Sequence, residues 1–251
     1  MQLRTRMISM ALACACLLML PVGAEPTPES LRADAEKGGA EAQTAIAWNY
    51  FTGNGAAPNY AQAGQWYEKA AKQGHAEAQY MLGEMYSVPL GVAKDDAAAL
   101  DWYQKAAEQD HEKAQLHLGW MCTSGKGVAL DLTKGAEWYR RAADAGSIEG
   151  KMQLGRAYLS GRGVAQDNAE ALKLFLYGAE RGNPDCEITV SWMYFKAMGA
   201  EKDLLAAYMW CTLALNGTEG ALNFIETIAK EMTPEQIAEA QKRAEDWKPV
   251  S

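Results

Sequence analysis

The chain writes nearly the same nine residues three times at one spacing. WYEKAAKQG at Trp66–Gly74 returns as WYQKAAEQD at Trp102–Asp110 and as WYRRAADAG at Trp138–Gly146, each copy 36 residues after the last. Self-similarity at a fixed period of about 20–50 residues is the mark of stacked repeats, because so short a unit cannot bury its own apolar face and must share a core with the next copy. Aligned at 36 without a gap, one column reads Trp66, Trp102, Trp138, Leu174, Trp210 and the next Tyr67, Tyr103, Tyr139, Phe175, Cys211. A third reads Ala42, Ala78, Ala114, Gly150, Cys186, and a fourth Ile46, Leu82, Leu118, Leu154, Val190. Five units are therefore expected over residues 39–217, with an N-terminal segment and a degenerate half unit over 25–38 in front and a further segment over 218–251 behind.

Each unit reads as two helices. Ala78, Leu82 and Tyr86 recur every four residues, and Ala99, Tyr103, Ala106 and Ala107 fall at i, i+4, i+7 and i+8. Both stripes are narrow, so the two helices must face each other. Gly83, Gly119 and Gly155 stand in the middle of the first helix, where glycine costs about 1 kcal/mol relative to alanine, and a close approach of the neighbouring helix is the expected return. Gly74, Gly146 and Gly182 close the second helix, Asp110 takes that place once, and Asn59, Asp95, Asp131, Asp167 and Asp203 are placed to cap its start. Gly125-Lys-Gly127-Val128 and Gly161-Arg-Gly163-Val164 are turns within a unit; no strand precedes them and no Gly-Lys-Ser/Thr follows, so they do not read as phosphate loops. After Gly217 the period stops. Ala221, Phe224, Ile225, Ile228 and Met232 make one amphipathic helix, and Thr233-Pro234-Glu235-Gln236 starts another with a capping box. Open repeat arrays need an end with a polar outer side, and these two helices are expected to supply it.

The stretch AEAQYMLGEMYSVPLGVAKDDAAALDWYQKAAEQD at Ala76–Asp110 resembles the Sel-one-like repeat (SLR) family, a relative of the tetratricopeptide repeat. Three motifs carry the likeness: A-x-A-x-x-x-L-G, G-x-G-V-x-x-D and W-Y-x-x-A-A. The resemblance implies an all-α fold, a right-handed α-solenoid of antiparallel helix pairs, serving as a platform for protein assembly. Unit five departs from the pattern: Ser191 replaces the glycine, and AMGAEKD (Ala197–Asp203) replaces the glycine-rich turn.

The opening MQLRTRMISMALACACLLMLPVGA has the three parts of an export signal: Arg4 and Arg6, an apolar core at Ile8–Leu20, and Val22-Gly23-Ala24 as a cleavage site. Cleavage is expected after Ala24, leaving an exported, periplasmic chain with no stable membrane insertion. A lipid anchor on Cys14 or Cys16 is the rival, against which both cysteines sit inside the apolar core with Leu17–Leu20 still to follow. Removing Arg4 and Arg6 leaves 22 bases against 32 acids, a net charge of −10. That charge repels phosphate backbones and anionic lipid surfaces and argues against nucleic-acid binding, whereas a basic protein partner would be attracted.

The search for chemistry yields little. Cys122, Cys186 and Cys211 are odd in number; Cys186 and Cys211 fall on consecutive helices of one unit, and a disulfide between them stays open. His111-Glu112 begins like a zinc-protease helix, but His117 follows six residues later, so the two rings point to different faces. His75 and His111 share a column and are expected to face solvent. No Gly-x-Ser-x-Gly occurs and no serine has a lysine three residues on. The resemblance adds that some cysteine-rich exported relatives bind or hydrolyse β-lactams; their paired cysteines are missing here, Cys186 having only Ala179 at the corresponding place. We expect no enzyme, no metal and no cofactor.

What remains is a surface. Trp48, Glu84, Trp120, Arg156 and Trp192 share the column where the family pattern leaves the residue free. The resemblance puts the first helix of each pair on the concave side, so these five should form a protein-binding ladder along a groove. Exposed tryptophans are costly unless covered; the alternative is that they fill space between helices. Thr44, Tyr80, Leu116, Met152 and Ile188, in the neighbouring column, are expected to pack between units. Three functional readings stay open. The groove binds a protein partner, the resemblance suggesting a toxic effector such as a phospholipase that an immunity protein neutralises. The chain is an envelope assembly or regulatory scaffold. Or it is a β-lactam- or peptidoglycan-active enzyme.

Overall fold

The computed structural model describes residues 28–53, 57–215 and 220–250. The export signal expected over 1–24 and the unit boundary expected at Gly217 lie outside them. Among the described residues there are thirteen helices and no strand: α1 (Pro28–Glu36), α2 (Ala40–Thr52), α3 (Tyr60–Lys72), α4 (Ala76–Ser87), α5 (Asp96–Ala107), α6 (Glu112–Ser124), α7 (Leu132–Asp144), α8 (Ile148–Ser160), α9 (Asn168–Ala179), α10 (Pro184–Phe195), α11 (Leu204–Ala214), α12 (Ala221–Ala229) and α13 (Pro234–Asp246). Each helix packs chiefly on the one before and the one after it, so α2/α3 through α10/α11 are five stacked pairs, with α1 on α2 and both α12 and α13 on α11. This is an all-α solenoid of consecutive helix pairs. No helix among the described residues is long and apolar enough to cross a membrane.

The junctions follow the local chemistry. Asn59, Asp95, Asp131, Asp167 and Asp203 each accept a backbone N–H from the first turn of the second helix. Asp110 adopts φ 59°, the left-handed conformation that glycine takes at the equivalent positions. His75 and His111 are not simply turned to solvent: each Nδ1 accepts the N–H three residues on, so the imidazoles are N-caps of α4 and α6, a place taken by Ser147 and Asn183 in later units. A neutral ring nitrogen can do what a serine oxygen does there, and the ring then packs between units.

Within a pair, an aromatic ring of the second helix sits on a glycine of the first. A Cβ added to Gly83 would meet the Tyr103 ring at 2.8 Å, one on Gly119 the Tyr139 ring at 2.5 Å, and one on Gly155 the Phe175 ring at 2.8 Å. Unit five rewrites both partners together. Ser191 stands for the glycine and Cys211 for the ring, both fully buried, and the Ser191 hydroxyl donates to the Ala207 carbonyl at 2.6 Å. Cys186 packs instead against Gly178 of the preceding unit, and the Cys211 thiol contacts the Ala221 carbonyl at 3.4 Å. All three cysteines are free and buried, and burial pushes the Cys186 thiol up to about 12 and that of Cys211 to about 11.

Between units a glutamine column carries the polar contact. Gln43, Gln79 and Gln115 are buried, and each Nε2 donates to a carbonyl at the end of the preceding second helix: Ala35 at 3.2 Å, Ala71 at 3.1 Å and Ala107 at 3.2 Å. Those carbonyls belong to last turns that have no intrahelical donor left. The amide oxygens of Gln43 and Gln79 accept from Gln73 and Gln109, but the next residue in that column is Ala145, and the buried Gln115 Oε1 has no partner among the described residues. The column ends in Lys151 and Glu187; Glu187 is buried, and burial raises its carboxyl above the usual carboxylate range.

Behind the last pair, the Trp247 ring lies edge-on to Trp210 with centroids 5.8 Å apart, and the Val250 N–H donates to the Glu180 carbonyl at 2.7 Å. The segment after α13 thus reaches back past unit five to the end of α9.

Two substitutions test this packing. Gly119→Ala should lower stability by about 1–3 kcal/mol, the overpacking range, although alanine is the better helix former; an unchanged urea midpoint would mean that the Tyr139 ring retreats at no cost. Glu187→Gln should raise stability by about 1 kcal/mol at neutral pH, by removing a buried carboxylate and extending the glutamine column. A group whose folded pKa is raised costs stability as pH rises through the unfolded and then the folded value. The gain should therefore fade in urea titrations as the pH is lowered toward 4.

Candidate functional site

The glycine seat does more than bring two helices together. Because the ring lies under the first helix, the tip of the second-helix aromatic reaches the outer face of the first helices. The Tyr103 hydroxyl donates to Glu84 Oε1 at 2.5 Å and lies 3.3 Å from the Ser87 hydroxyl, and the Tyr139 hydroxyl lies 3.4 Å from Thr123 Oγ1. Burial, with the nearby Glu84 carboxylate adding to it, pushes the Tyr103 hydroxyl far above the usual tyrosine range, so it stays a donor.

Two clefts open on this face. The first, of about 370 Å³, is lined by Leu116, His117, Trp120 and Thr123 of α6, Tyr139 of α7, and Glu149 and Gln153 of α8. The second, of about 400 Å³, is lined by Arg156 and Leu159 of α8, Phe175 of α9, Ile188, Thr189 and Trp192 of α10, and Phe224 of α12. Their floors are the same column one unit apart, Tyr139 in one and Phe175 in the other. The first cleft thus sets hydrogen-bonding groups beside Leu116 and Trp120, and the second is apolar apart from Thr189 and the Arg156 guanidinium.

The five ladder residues divide. Trp120 is 44% exposed and Trp192 is 40% exposed, each at the edge of a cleft. Arg156 is exposed on the helix between them, and its guanidinium makes no hydrogen bond or ion pair among the described residues. Trp48 is half-buried: it stacks on Phe51 with centroids 5.9 Å apart and packs against the core. Glu84 is half-buried, held by Tyr103 and by the His117 Nε2 at 3.3 Å. In the neighbouring column, Thr44, Tyr80 and Met152 are buried as expected, whereas Leu116 and Ile188 are half-buried and line the clefts.

Around Glu84 the rings form a continuous stack. His117 lies on Tyr103 at 4.9 Å and 10° between planes, His111 lies on Tyr80 at 4.9 Å, and the edge of His117 meets Trp120 at 6.3 Å. His111 Nε2 is 2.9 Å from Glu77 Oε2, a hydrogen bond that holds the Glu77 carboxyl below the usual range. The Lys126 ammonium stands 5.1 Å over the Trp120 ring. Every titratable group in this stack is tied to another side chain, an arrangement that fixes the wall of the first cleft. Among the described residues no group of three or more His, Cys, Asp or Glu could hold a metal ion.

The comparisons with known proteins agree on the repeat. The Sel1 repeat pattern matches residues 40–75, 76–111, 112–147, 148–183 and 186–217. A Sel1 repeat protein from Oxalobacter formigenes is 32% identical, with a TM-score of 0.73 over 88% of this chain and 91% of that one. A protective antigen of uropathogenic Escherichia coli displaying an SLR fold is 28% identical, with a TM-score of 0.77 over 88% of this chain; this chain spans about half of that protein, 48%. An immunity protein from Pseudomonas aeruginosa is 21% identical over 79% of this chain and 77% of that one, with a TM-score of 0.47, a likeness too remote to carry an argument. No curated protein matches the sequence.

The exposure pattern predicts a quenching experiment. Trp120→Phe together with Trp192→Phe should remove most of the acrylamide-accessible tryptophan emission, while Trp138→Phe, at a site 9% exposed, should remove mainly protected emission. Equal quenching constants for all three proteins would contradict the assignment of exposed rungs.

Proposed function

The chain belongs to the Sel1 repeat family, and from that premise we propose that its first-helix face is a groove that binds a protein partner, with Trp48, Glu84, Trp120, Arg156 and Trp192 as its ladder. Sel1 repeat proteins act as protein-interaction modules, and one observation carries the reading to this face: two tryptophans left 44% and 40% exposed on one register, each beside a cleft. Tryptophan is enriched among the few interface residues that dominate binding energy, above all beside pockets that water can be driven from. Trp120 and Trp192 are the anchors; Trp48 and Glu84 shape the near end of the ladder. The first turns of the first helices bear Glu41, Glu77, Glu149 and Asp185, with Lys113 at the same position in unit three, a net acidic column that suits a partner of basic net charge.

With the export signal at 1–24, the partner would be met outside the cytoplasm, and a toxic effector neutralised in the periplasm fits best. Binding is preferred to catalysis because Glu84, His117 and Tyr103 satisfy one another and form the wall of a cleft.

The test is co-expression with candidate effectors encoded beside this gene, phospholipases first. The full chain should protect a cell carrying the effector in its periplasm, and the chain without residues 1–24 should not. For a partner so identified, Trp120→Ala should weaken binding by about 2 kcal/mol or more, the hot-spot range, with an unchanged melting temperature. Lost thermal stability at unchanged affinity would show that Trp120 is packing and remove the groove from the proposal. Co-migration with membrane complexes and no protection would favour a scaffold in its place.

A further inference from the structure

We infer that the centre of this groove recognises an acidic side chain, carried in an extended segment of the partner with a large apolar residue on each side of it. The inference rests on the groove reading and deepens it. Its starting point is the Arg156 guanidinium, exposed and without a hydrogen bond or ion pair among the described residues, in a chain where acids outnumber bases 32 to 24. Three charged groups beside the clefts are engaged: Glu84 by Tyr103 and His117, Glu149 by the Gln153 amide at 2.6 Å, and Lys126 by the Trp120 ring. Arg156 borders the apolar cleft floored by Phe175 and walled by Ile188, Trp192 and Phe224. Apolar walls weaken solvent screening, and a guanidinium pairs with a carboxylate through two parallel hydrogen bonds, so this is where an acidic side chain gains most.

The ladder says what lies beside that carboxylate. Trp120 and Trp192 occupy the register of Arg156 one unit to either side, and side chains of successive first helices touch, His117 of α6 with Glu84 of α4. Side chains that only just meet put successive first helices at about 10 Å, the upper end of packed-helix spacing, so the two tryptophans are roughly 20 Å apart. At about 3.3–3.6 Å per residue, some six residues of extended chain cover that span. A chain ending at Arg156 would leave one tryptophan uncovered; an internal aspartate or glutamate with an apolar neighbour on each flank covers both. The basic net charge proposed for the partner and one acidic residue at this point are compatible, since a partner of net positive charge can carry a single carboxylate to the one guanidinium while its bases meet the acids of the first turns.

The experiment uses the full mature chain and four pools of fluorescein-labelled peptides, three of octapeptides degenerate over Leu, Ile, Phe, Met and Trp at the second and seventh positions and one of pentapeptides degenerate at the second alone. Three pools are capped at both ends and carry Glu, Gln or Lys at the fifth position; the fourth stops at the fifth position in a free carboxylate. Fluorescence anisotropy should show the Glu pool binding at least tenfold tighter than the Gln pool, with the Lys pool weakest. Arg156→Gln should abolish that difference by bringing the Glu pool down to the affinity of the Gln pool for the same variant, and Arg156→Lys should keep part of it. Equal affinity of the Glu and Gln pools, in binding still lost on Trp120→Ala, would overturn this inference and leave the groove reading standing. Equal affinity insensitive to Trp120→Ala, or no binding by any pool, would overturn the inference and count against the groove as well. Tightest binding by the free-carboxylate pool would show a site for a chain end and overturn the internal segment proposed here.

Discussion

A ring of one helix seated on a glycine of its partner sets the distance between the two helices of a pair, and most of the molecule follows from that distance. With Tyr103, Tyr139 and Phe175 lying against Gly83, Gly119 and Gly155, the backbones come close enough for narrow alanine-rich stripes to fill the space between them. Protein interiors are packed to crystal density, so the seat admits few combinations of size. Unit five shows the rule from its exception: the larger Ser191 is accommodated because the ring opposite has shrunk to Cys211, and the added hydroxyl finds the Ala207 carbonyl. Two departures that look like decay in the repeat are one compensated change.

The same seat explains why the groove is not uniform. Repetition makes corresponding positions geometrically equivalent, and substitution then writes differences onto equivalent places. A single hydroxyl separates Tyr139 from Phe175, and with it a cleft floored by a hydrogen-bonding group from one floored by a bare ring. Along the ladder, tryptophan gives way to glutamate in unit two and to arginine in unit four. The glutamate is consumed by neighbours within the chain, and the arginine is left available.

What the sequence disclosed was local or periodic. Caps such as Asp95 are legible because the side chain and the N–H groups it serves lie two or three residues apart, and the mid-helix glycines because an unfavourable residue kept at one register needs a reason. The glutamine column was equally periodic but passed unread: Gln43, Gln79 and Gln115 look like solvent-facing helix residues, since the carbonyls they serve belong to another unit. Tyr139 and Phe175 were read as core, and they are; their second role arises because the inner edge of a ring and its tip lie on opposite sides of a helix. Trp48 was read as a rung like Trp120 and Trp192, and it is half-buried where they are exposed, its ring stacked on Phe51 three residues on. The equivalent aromatic in unit five, Phe195, is turned edge-on to Phe224, so Trp192 stays free. That difference depends on α12, which no column of the repeat contains.

The strand of contacts from Trp247 to Val250 alters how the array can come apart. A linear stack bound only through nearest neighbours can shed units one at a time from an end, each loss costing a single interface. Here the Val250 N–H is bonded to the end of α9 and Trp247 lies on Trp210, so unit five is clasped between its neighbour and the tail. To fray, the end must release a unit and the clasp in one event. During synthesis the order is reversed: units one to four can consolidate as they emerge, whereas unit five stays unlatched until residue 250 has followed, making latching a late step in building the array.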